Sequence, residues 1–285
     1  MDYIDIYLKE DLGEEGDITT NSIFGDEEGE AVIIANEDCI LAGIEDAKEV
    51  FSRLGANLEM IRKDGEEVEK GEIVAKVKGK LRSILAGERL ALNMISRMSG
   101  IATETRKLVD MCRKINPDVK IAATRKTTPG FRKYEKKAVI IGGGDPHRFG
   151  LFDAVLIKDN HIRVIGDTAE AVRLAKEKSS FTKLVEVEVR TPEDAVAAAK
   201  AGADIIMFDN MDPEDIRVSI DRIRELGLRE KLVLEVSGGI NLENVDRYAV
   251  LDVDVISTSF ITLSPKPIDL TLKIHTLETT SREQV

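Results

Sequence analysis

The stretch LVEVEVRTPEDAVAAAKAGADIIMFDN, residues 184–210, decides the reading of this chain. An apolar run over 184–189 gives way to Thr191-Pro192, an N-cap followed by a proline suited to the first helical turn. The helix this predicts stops at Gly202, the usual residue for that task, and a second apolar run over 204–208 ends at Asp209. Strand, helix and strand in succession predict parallel strands covered by helices.

The unit repeats outward in both directions. Further strands are predicted at 120–124, 154–157, 232–236 and 254–257, with helices at TAEAVRLAKEK (168–178) and DPEDIRVSIDRIRELG (212–227). A longer insertion occupies 125–153. Residues 1–103 read differently, as short strands around a helix at IEDAKEVFSRLG (44–55), and a long helical stretch from Gly87 to Ile115 bridges the two regions. The fold class is α/β: an N-terminal α+β domain over 1–103 followed by a barrel over 104–264.

In such a barrel, ligands bind at the carboxyl ends of several strands. Arg125, Lys126, Lys158, Glu188, Asp209, Ser237 and Ser257 all fall at or just past predicted strand ends. Accidental polar residues would scatter over both ends; these do not. Each has a plainer explanation taken singly. Asp209 could cap the helix that begins at Pro213, Glu188 could pair with a nearby lysine, and SGGI (237–240) could be only a tight turn. Adjacent glycines, however, expose backbone N–H groups suited to phosphate. The glycines at 142–144 stand just before His147-Arg148, which suggests a loop that places a cation over the barrel mouth. Lys133, Lys136 and Lys137, in RKYEKK, read as a solvated helix face.

The chain has 285 residues and a formal net charge of −12, which argues against nucleic acid. Residues 124–163 oppose that trend, with nine Lys/Arg and four Asp/Glu, a balance of +5 that leaves −17 on the rest. A basic island in an acidic protein suits a small, multiply anionic ligand. Two carboxylates among its cations suggest a divalent metal shared with phosphate oxygens, Mg²⁺ being the usual hard cation. Cys39 and Cys112 stand too far apart in sequence for a metal knuckle and read as core residues of a reducing compartment. No run approaches the ~18 apolar residues of a membrane span, and the acidic N-terminus lacks the features of a signal peptide, so a soluble cytoplasmic protein is expected.

ATRKTTPGFR (123–132), KKAVIIGGGDPHRFGLFDAVLIKDNHI (136–162) and the flanking EDLGEEGDITT, GERLALNMISRMSGIAT, VEVEV, MFDNM, EVSGGI and DLTLKI resemble the quinolinate phosphoribosyltransferases across nearly the whole chain. The resemblance implies an incomplete, about seven-stranded α/β barrel with an N-terminal α+β open-faced sandwich, which the C-terminal tail (265–285) rejoins. It implies formation of nicotinate mononucleotide from quinolinate and phosphoribosyl pyrophosphate, releasing pyrophosphate and CO₂, with Mg²⁺, in a homodimer or larger homo-oligomer. By position, Arg125, His147, Arg148 and Lys158 are similar to the quinolinate-facing group, with Arg89 reaching in from a partner subunit. Lys126 is similar to the residue serving pyrophosphate, and Glu188 and Asp209 to the pair engaging ribose and metal. Ser237, Gly238 and Gly239, with Ser257, Thr258 and Ser259, resemble the 5′-phosphate cradle. The chain departs from the family at STSFITLS (257–264), where Ser-x-Gly-Ala-Leu-Thr is frequent, and at Pro146, where Asn commonly stands.

Two other classes compete. Lys158 at a strand end also suits a Schiff-base lyase or aldolase, although that leaves Arg125, Arg148 and Glu188 without a task. DGEEVEKGEIVAKVKG (64–79) has the glycine rhythm of a biotinyl or lipoyl carrier, although no lysine stands beside a methionine at a hairpin tip. A paralogous group linked to molybdate transport shares the fold but lacks the full LIKDNH turn.

Overall fold

The structure, a computed structural model, describes residues 2–275. The last ten positions of the expected returning tail, 276–285, lie outside the described residues. The chain divides into two compact units, one of residues 2–104 with 265–275, the other Thr105–Ser264.

The first unit opens with helices α1 (Tyr3–Leu12) and α2 (Ile18–Ile23). Strands β1 (Glu28–Ala35), β3 (Asn57–Met60), β5 (Ile73–Lys80) and the returning β12 (Leu270–His275) form an antiparallel sheet in the order β12-β1-β5-β3. The short strands β2 (Cys39–Ile40) and β4 (Glu67–Val68) pair separately. Helix α3 (Ile44–Arg53) buries Ile44, Ala47, Val50 and Phe51, the spacing of a single helix face. Because β5 is an inner strand of this sheet and β4 pairs with β2, residues 64–79 are built into the unit and do not form a free-standing carrier hairpin.

Helix α4 (Leu81–Arg113) runs out of the first unit and into the second. Along its earlier part the returning segment is pinned to it. Arg97 Nη1 donates to Pro265 O at 3.0 Å, Ile268 N donates to Ser96 O at 3.0 Å, and the Ser96 hydroxyl donates to Ile268 O.

The second unit is built on six parallel strands: β6 (Lys120–Ala123), β7 (Val155–Ile157), β8 (Val185–Val189), β9 (Ile205–Asp209), β10 (Val233–Ser237) and β11 (Val255–Thr258). Its helices are α5 (Arg132–Ile141), α6 (Asp159–Ile165), α7 (Thr168–Lys178), α8 (Pro192–Ala201), α9 (Pro213–Glu225), α10 (Val245–Ala249) and α11 (Phe260–Leu263). The helices start where capping chemistry places them. Asp167 accepts from Glu170 N at 2.6 Å and the Thr191 hydroxyl from Asp194 N at 3.1 Å, each cap contributing about 1 kcal/mol. The faces they bury are apolar, as with Ile216, Ile220 and Ile223 on α9.

The strand order β6-β11-β10-β9-β8-β7 curls the sheet without joining β6 to β7. In place of a seventh strand, one parallel bridge pairs Ala122 with Asp145. The barrel is therefore incomplete, and residues 125–153, with α5, occupy the break. No described helix is long and apolar enough to cross a membrane.

A methyl group placed on Gly100 of α4 would run into the Lys266 carbonyl, which backbone cannot vacate cheaply. Gly100→Ala should therefore lose about 1–3 kcal/mol of stability, the usual cost of overpacking. Urea denaturation measures it, with Gly55→Ala, where no atom lies within 4 Å but φ is +82°, as the reference for backbone strain alone.

Candidate active site

The carboxyl ends of the strands open into a cavity of about 500 Å³. All the residues predicted on the barrel line it: Arg125, Lys126, His147, Arg148, Lys158, Glu188, Asp209, Ser237, Gly238, Gly239, Ser257, Thr258 and Ser259. Arg89 does not; it is exposed on α4 with no polar partner among the described residues.

Strand alternation explains the convergence. Side chains two apart share a face, so Leu156 with Lys158, Met207 with Asp209, and Glu235 with Ser237 all line the cavity. Register then sorts them by height. Asp209, Ser237 and Ser257 are level across β9, β10 and β11, while Glu188 is level with Met207, and Met207 with Glu235, one layer deeper. Asp209 ends β9 facing the cavity and does not cap α9, whose N-cap is Asp212.

The charged groups interlock. Lys158 Nζ donates to Glu188 Oε1, and Arg190 Nη2 meets Asp209 Oδ2 at 3.1 Å and Asp159 Oδ2 at 3.4 Å. Arg125 Nε and Ser257 Oγ are buried without hydrogen-bond partners among the described residues. Buried polar groups are normally satisfied, so these atoms mark a place for ligand. An amine nucleophile needs a free lone pair. Lys158, tied to Glu188, does not offer one.

The phosphate-type turns are cross-linked. Thr258 Oγ1 donates to Ile240 O at 2.6 Å and accepts from Phe260 N at 2.9 Å, so this hydroxyl joins the 237–240 turn to the turn after β11. Gly238 has φ +103°, and a Cβ there would lie 2.8 Å from Asn210 N, so only glycine fits. The turn does not lead directly into a helix; α10 begins at Val245.

Two features escaped the sequence reading. Lys136 lies not on a solvated face but wholly buried, donating to Pro146 O and, at 3.4 Å, to Ala123 O. Its ammonium thus ties the end of β6 to the loop carrying His147 and Arg148. Lys133 is exposed, as expected. The second omission is a pair of buried carboxylates, Glu186 and Glu235, whose Oε2 atoms lie 3.6 and 3.3 Å from His147 Nε2. The alternation V-E-V-E-V was the available signal: in a strand covered on both faces, Glu186 shares the inner face with Glu188.

An α/β barrel whose mouth gathers cations, carboxylates and glycine turns defines an enzyme of a multiply anionic substrate. The chain matches Quinolinate phosphoribosyl transferase, N-terminal domain, over residues 17–99, and Quinolinate phosphoribosyl transferase, C-terminal domain, over 101–273. It is 45% identical to the probable nicotinate-nucleotide pyrophosphorylase [carboxylating] of Methanothermobacter thermautotrophicus, over 98% of this chain and 100% of that protein. It is 35% identical to the human nicotinate-nucleotide pyrophosphorylase [carboxylating], over 87% and 83%. The solved nicotinate-nucleotide pyrophosphorylase from Francisella tularensis superposes with a TM-score of 0.87 at 41% identity, covering 95% of this chain and 94% of that one. The chain belongs to the quinolinate phosphoribosyltransferase family.

Burial, and then the neighbouring Arg132, lower the pKa of Lys136 from 10.5 to about 8. The unfolded chain keeps that proton to higher pH, so the cost of burying the charge is full below pH 8 and fades as pH rises towards 10.5. Relative to Lys136→Met, the native protein should gain on the order of 2–3 kcal/mol between pH 8 and 10.5. Parallel pH dependence of the two in chemical denaturation would contradict it.

Proposed function

We propose that this chain transfers the phosphoribosyl group of phosphoribosyl pyrophosphate to the ring nitrogen of quinolinate. Loss of CO₂ then gives nicotinate mononucleotide, with pyrophosphate as the other product, a step of NAD biosynthesis. The observation that carries the reading is a single cavity lined by Arg125, Arg148 and Lys158 for carboxylates, by Glu188 and Asp209 for a ribose, and by the Ser237-Gly238-Gly239 turn for a phosphate.

Quinolinate presents two carboxylates, and arginine forks match that geometry bidentately. As the bond from ribosyl C1 to the pyrophosphate oxygen lengthens, positive charge develops on the ribose, and Glu188 and Asp209 are placed to favour it. The pyridine nitrogen forms the new bond to C1 while pyrophosphate leaves with the electron pair beside Lys126. The ring nitrogen is now cationic. When the bond from C2 to its carboxylate breaks, the electron pair left on C2 is stabilised by that charge, and a proton from solvent then completes the ring. The arginines hold the departing carboxylate and exclude water from it. Glu188 and Asp209 offer carboxylate oxygens, the donor class that fits Mg²⁺, which would neutralise pyrophosphate oxygens when bound there.

The reading extends to a cytoplasmic homodimer in which Arg89 serves the partner's cavity; its exposure and lack of a partner among the described residues support this.

Purified protein given quinolinate, phosphoribosyl pyrophosphate and Mg²⁺ should release pyrophosphate and CO₂ together, and EDTA should stop both. Full turnover with nicotinate instead would overturn the substrate assignment. Arg148→Ala should lower kcat/KM by roughly 10²–10³, while Lys133→Ala, on the exposed side of α5, should leave it within about twofold. Arg89→Ala and Arg125→Ala proteins should each be nearly inactive. Unfolded together and refolded, they should regain about a quarter of native activity, because half the dimers are mixed and each has one intact site. No recovery from mixed dimers verified by mass spectrometry would place Arg89 outside a shared site.

A further inference from the structure

The His147 ring is engaged at both nitrogens by the protein itself. Nδ1 lies 2.7 Å from the backbone nitrogen of Arg148. A backbone N–H can only donate, so Nδ1 accepts and carries no proton. Nε2 faces Glu235 Oε2 at 3.3 Å and Glu186 Oε2 at 3.6 Å. With Nδ1 bare, the neutral ring carries its proton on Nε2, which faces these carboxylate oxygens. The Glu186 and Glu235 side chains are 1% and 2% exposed, and water does not compete for this contact.

The backbone is constrained as well. His147 adopts a left-handed conformation, φ 50°, which is strained for a non-glycine residue and persists only where the surroundings enforce it. The enforcement is visible: His147 N donates to Asp145 Oδ1 at 2.7 Å. The next residue is Arg148, whose guanidinium lines the cavity and is anchored by Nη1 to Ala154 O at 3.3 Å.

We infer that Glu235, aided by Glu186, makes His147 a positioning residue, one that sets the Arg148 backbone through Nδ1 and acts on a substrate carboxylate through Arg148 without touching it. The substrate part of this inference rests on the function proposed above.

Two other arrangements compete. The first is a doubly protonated ring, which burial opposes and the two glutamates favour, on balance raising its pKa; the contact at Nδ1 decides against it. That ring would turn an Nδ1–H against the Arg148 N–H, and a 2.7 Å separation leaves no room for both protons. The second is a metal ion, since the three groups present ligand atoms within 4.8 Å of one another. It would require Nε2 to give up the proton that now points at the carboxylates.

The test is ¹⁵N NMR of histidine-labelled protein at neutral pH, joined to steady-state kinetics. The chain has three histidines, and the signals missing from His147→Asn belong to His147. The expected spectrum has Nε2 protonated and Nδ1 bare, unchanged when quinolinate is added. Glu235→Leu should raise the quinolinate KM roughly ten- to a hundredfold, the loss expected when a buried donor is left unpaired, and move the phosphoribosyl pyrophosphate KM by less than about threefold. Glu235→Gln, which keeps an oxygen acceptor for Nε2–H, should return the quinolinate KM to within about threefold of native. Two protonated ring nitrogens, a quinolinate-induced change of protonation at His147, or stoichiometric bound metal in the purified protein would each overturn the inference. So would a glutamine variant as impaired as the leucine one. Should Glu235→Leu not fold, the spectrum of the unaltered protein decides. A native protein that releases neither pyrophosphate nor CO₂ would instead reject the proposed function, while the spectrum would still report on the hydrogen-bond chain.

Discussion

Carboxylates placed inside a barrel have to be met by cations, and that requirement organises the second unit. Glu186 and Glu235 are almost wholly out of water, where an ion loses several kcal/mol of hydration. Burial pushes the Glu186 carboxyl upward in pKa, against which the His147 contact works. Burial likewise disfavours the Arg148 guanidinium, and Glu186, Glu188 and Glu235 favour it. Neither sign of charge would be tolerable here alone. Both are present, and the charges of the carboxylates favour the arginine that reaches the cavity.

The cations come from a segment that is scaffolded from within. Glu135 is buried and accepts from Thr128 N at 3.0 Å and Thr128 Oγ1 at 2.9 Å. Arg132 holds Thr127 Oγ1 at 2.9 Å and Phe149 O at 2.9 Å. Lys136 spans the carbonyls of Ala123 and Pro146. The charged face of α5 thus turns inward to fix two loops, the one bearing Arg125 and Lys126 and the one bearing His147 and Arg148. The two threonines of RKTTPG are spent on this bracing.

Where one physical rule dominates, the chain is legible from its sequence. Helices α7, α8 and α9 follow from apolar period and caps, and all six parallel strands stand within a residue or two of where apolar runs placed them. The rim residues were legible because strand ends are one place where polar side chains collect. What was missed shares a cause. Lys136, Glu186 and Glu235 are charged residues below the surface, and local sequence assigns charge to solvent unless a partner is known. Those partners, Pro146 for Lys136 and His147 for the glutamates, come from other elements and are visible only once the barrel brings them together. The alternation in VEVEV and the spacing of Glu235 from Ser237 mark the inner face, but not which cation waits there.

The break in the barrel and the composition of its site have one origin. A closed barrel would carry the chain from β6 to β7 through one crossover helix and pair those strands through a seventh or directly. Here the connection is residues 124–154, and its only strand-like pairing with the sheet among the described residues is the bridge from Ala122 to Asp145. That same connection carries Arg125, Lys126, His147 and Arg148 to the cavity. A regular strand there would alternate its side chains between interior and exterior and could direct few of these cations to one mouth. The irregular path, including the left-handed turn at His147, aims them together. Leaving the sheet open between β6 and β7 is thus the structural counterpart of concentrating +5 charge on 124–163 in a chain whose remainder carries −17.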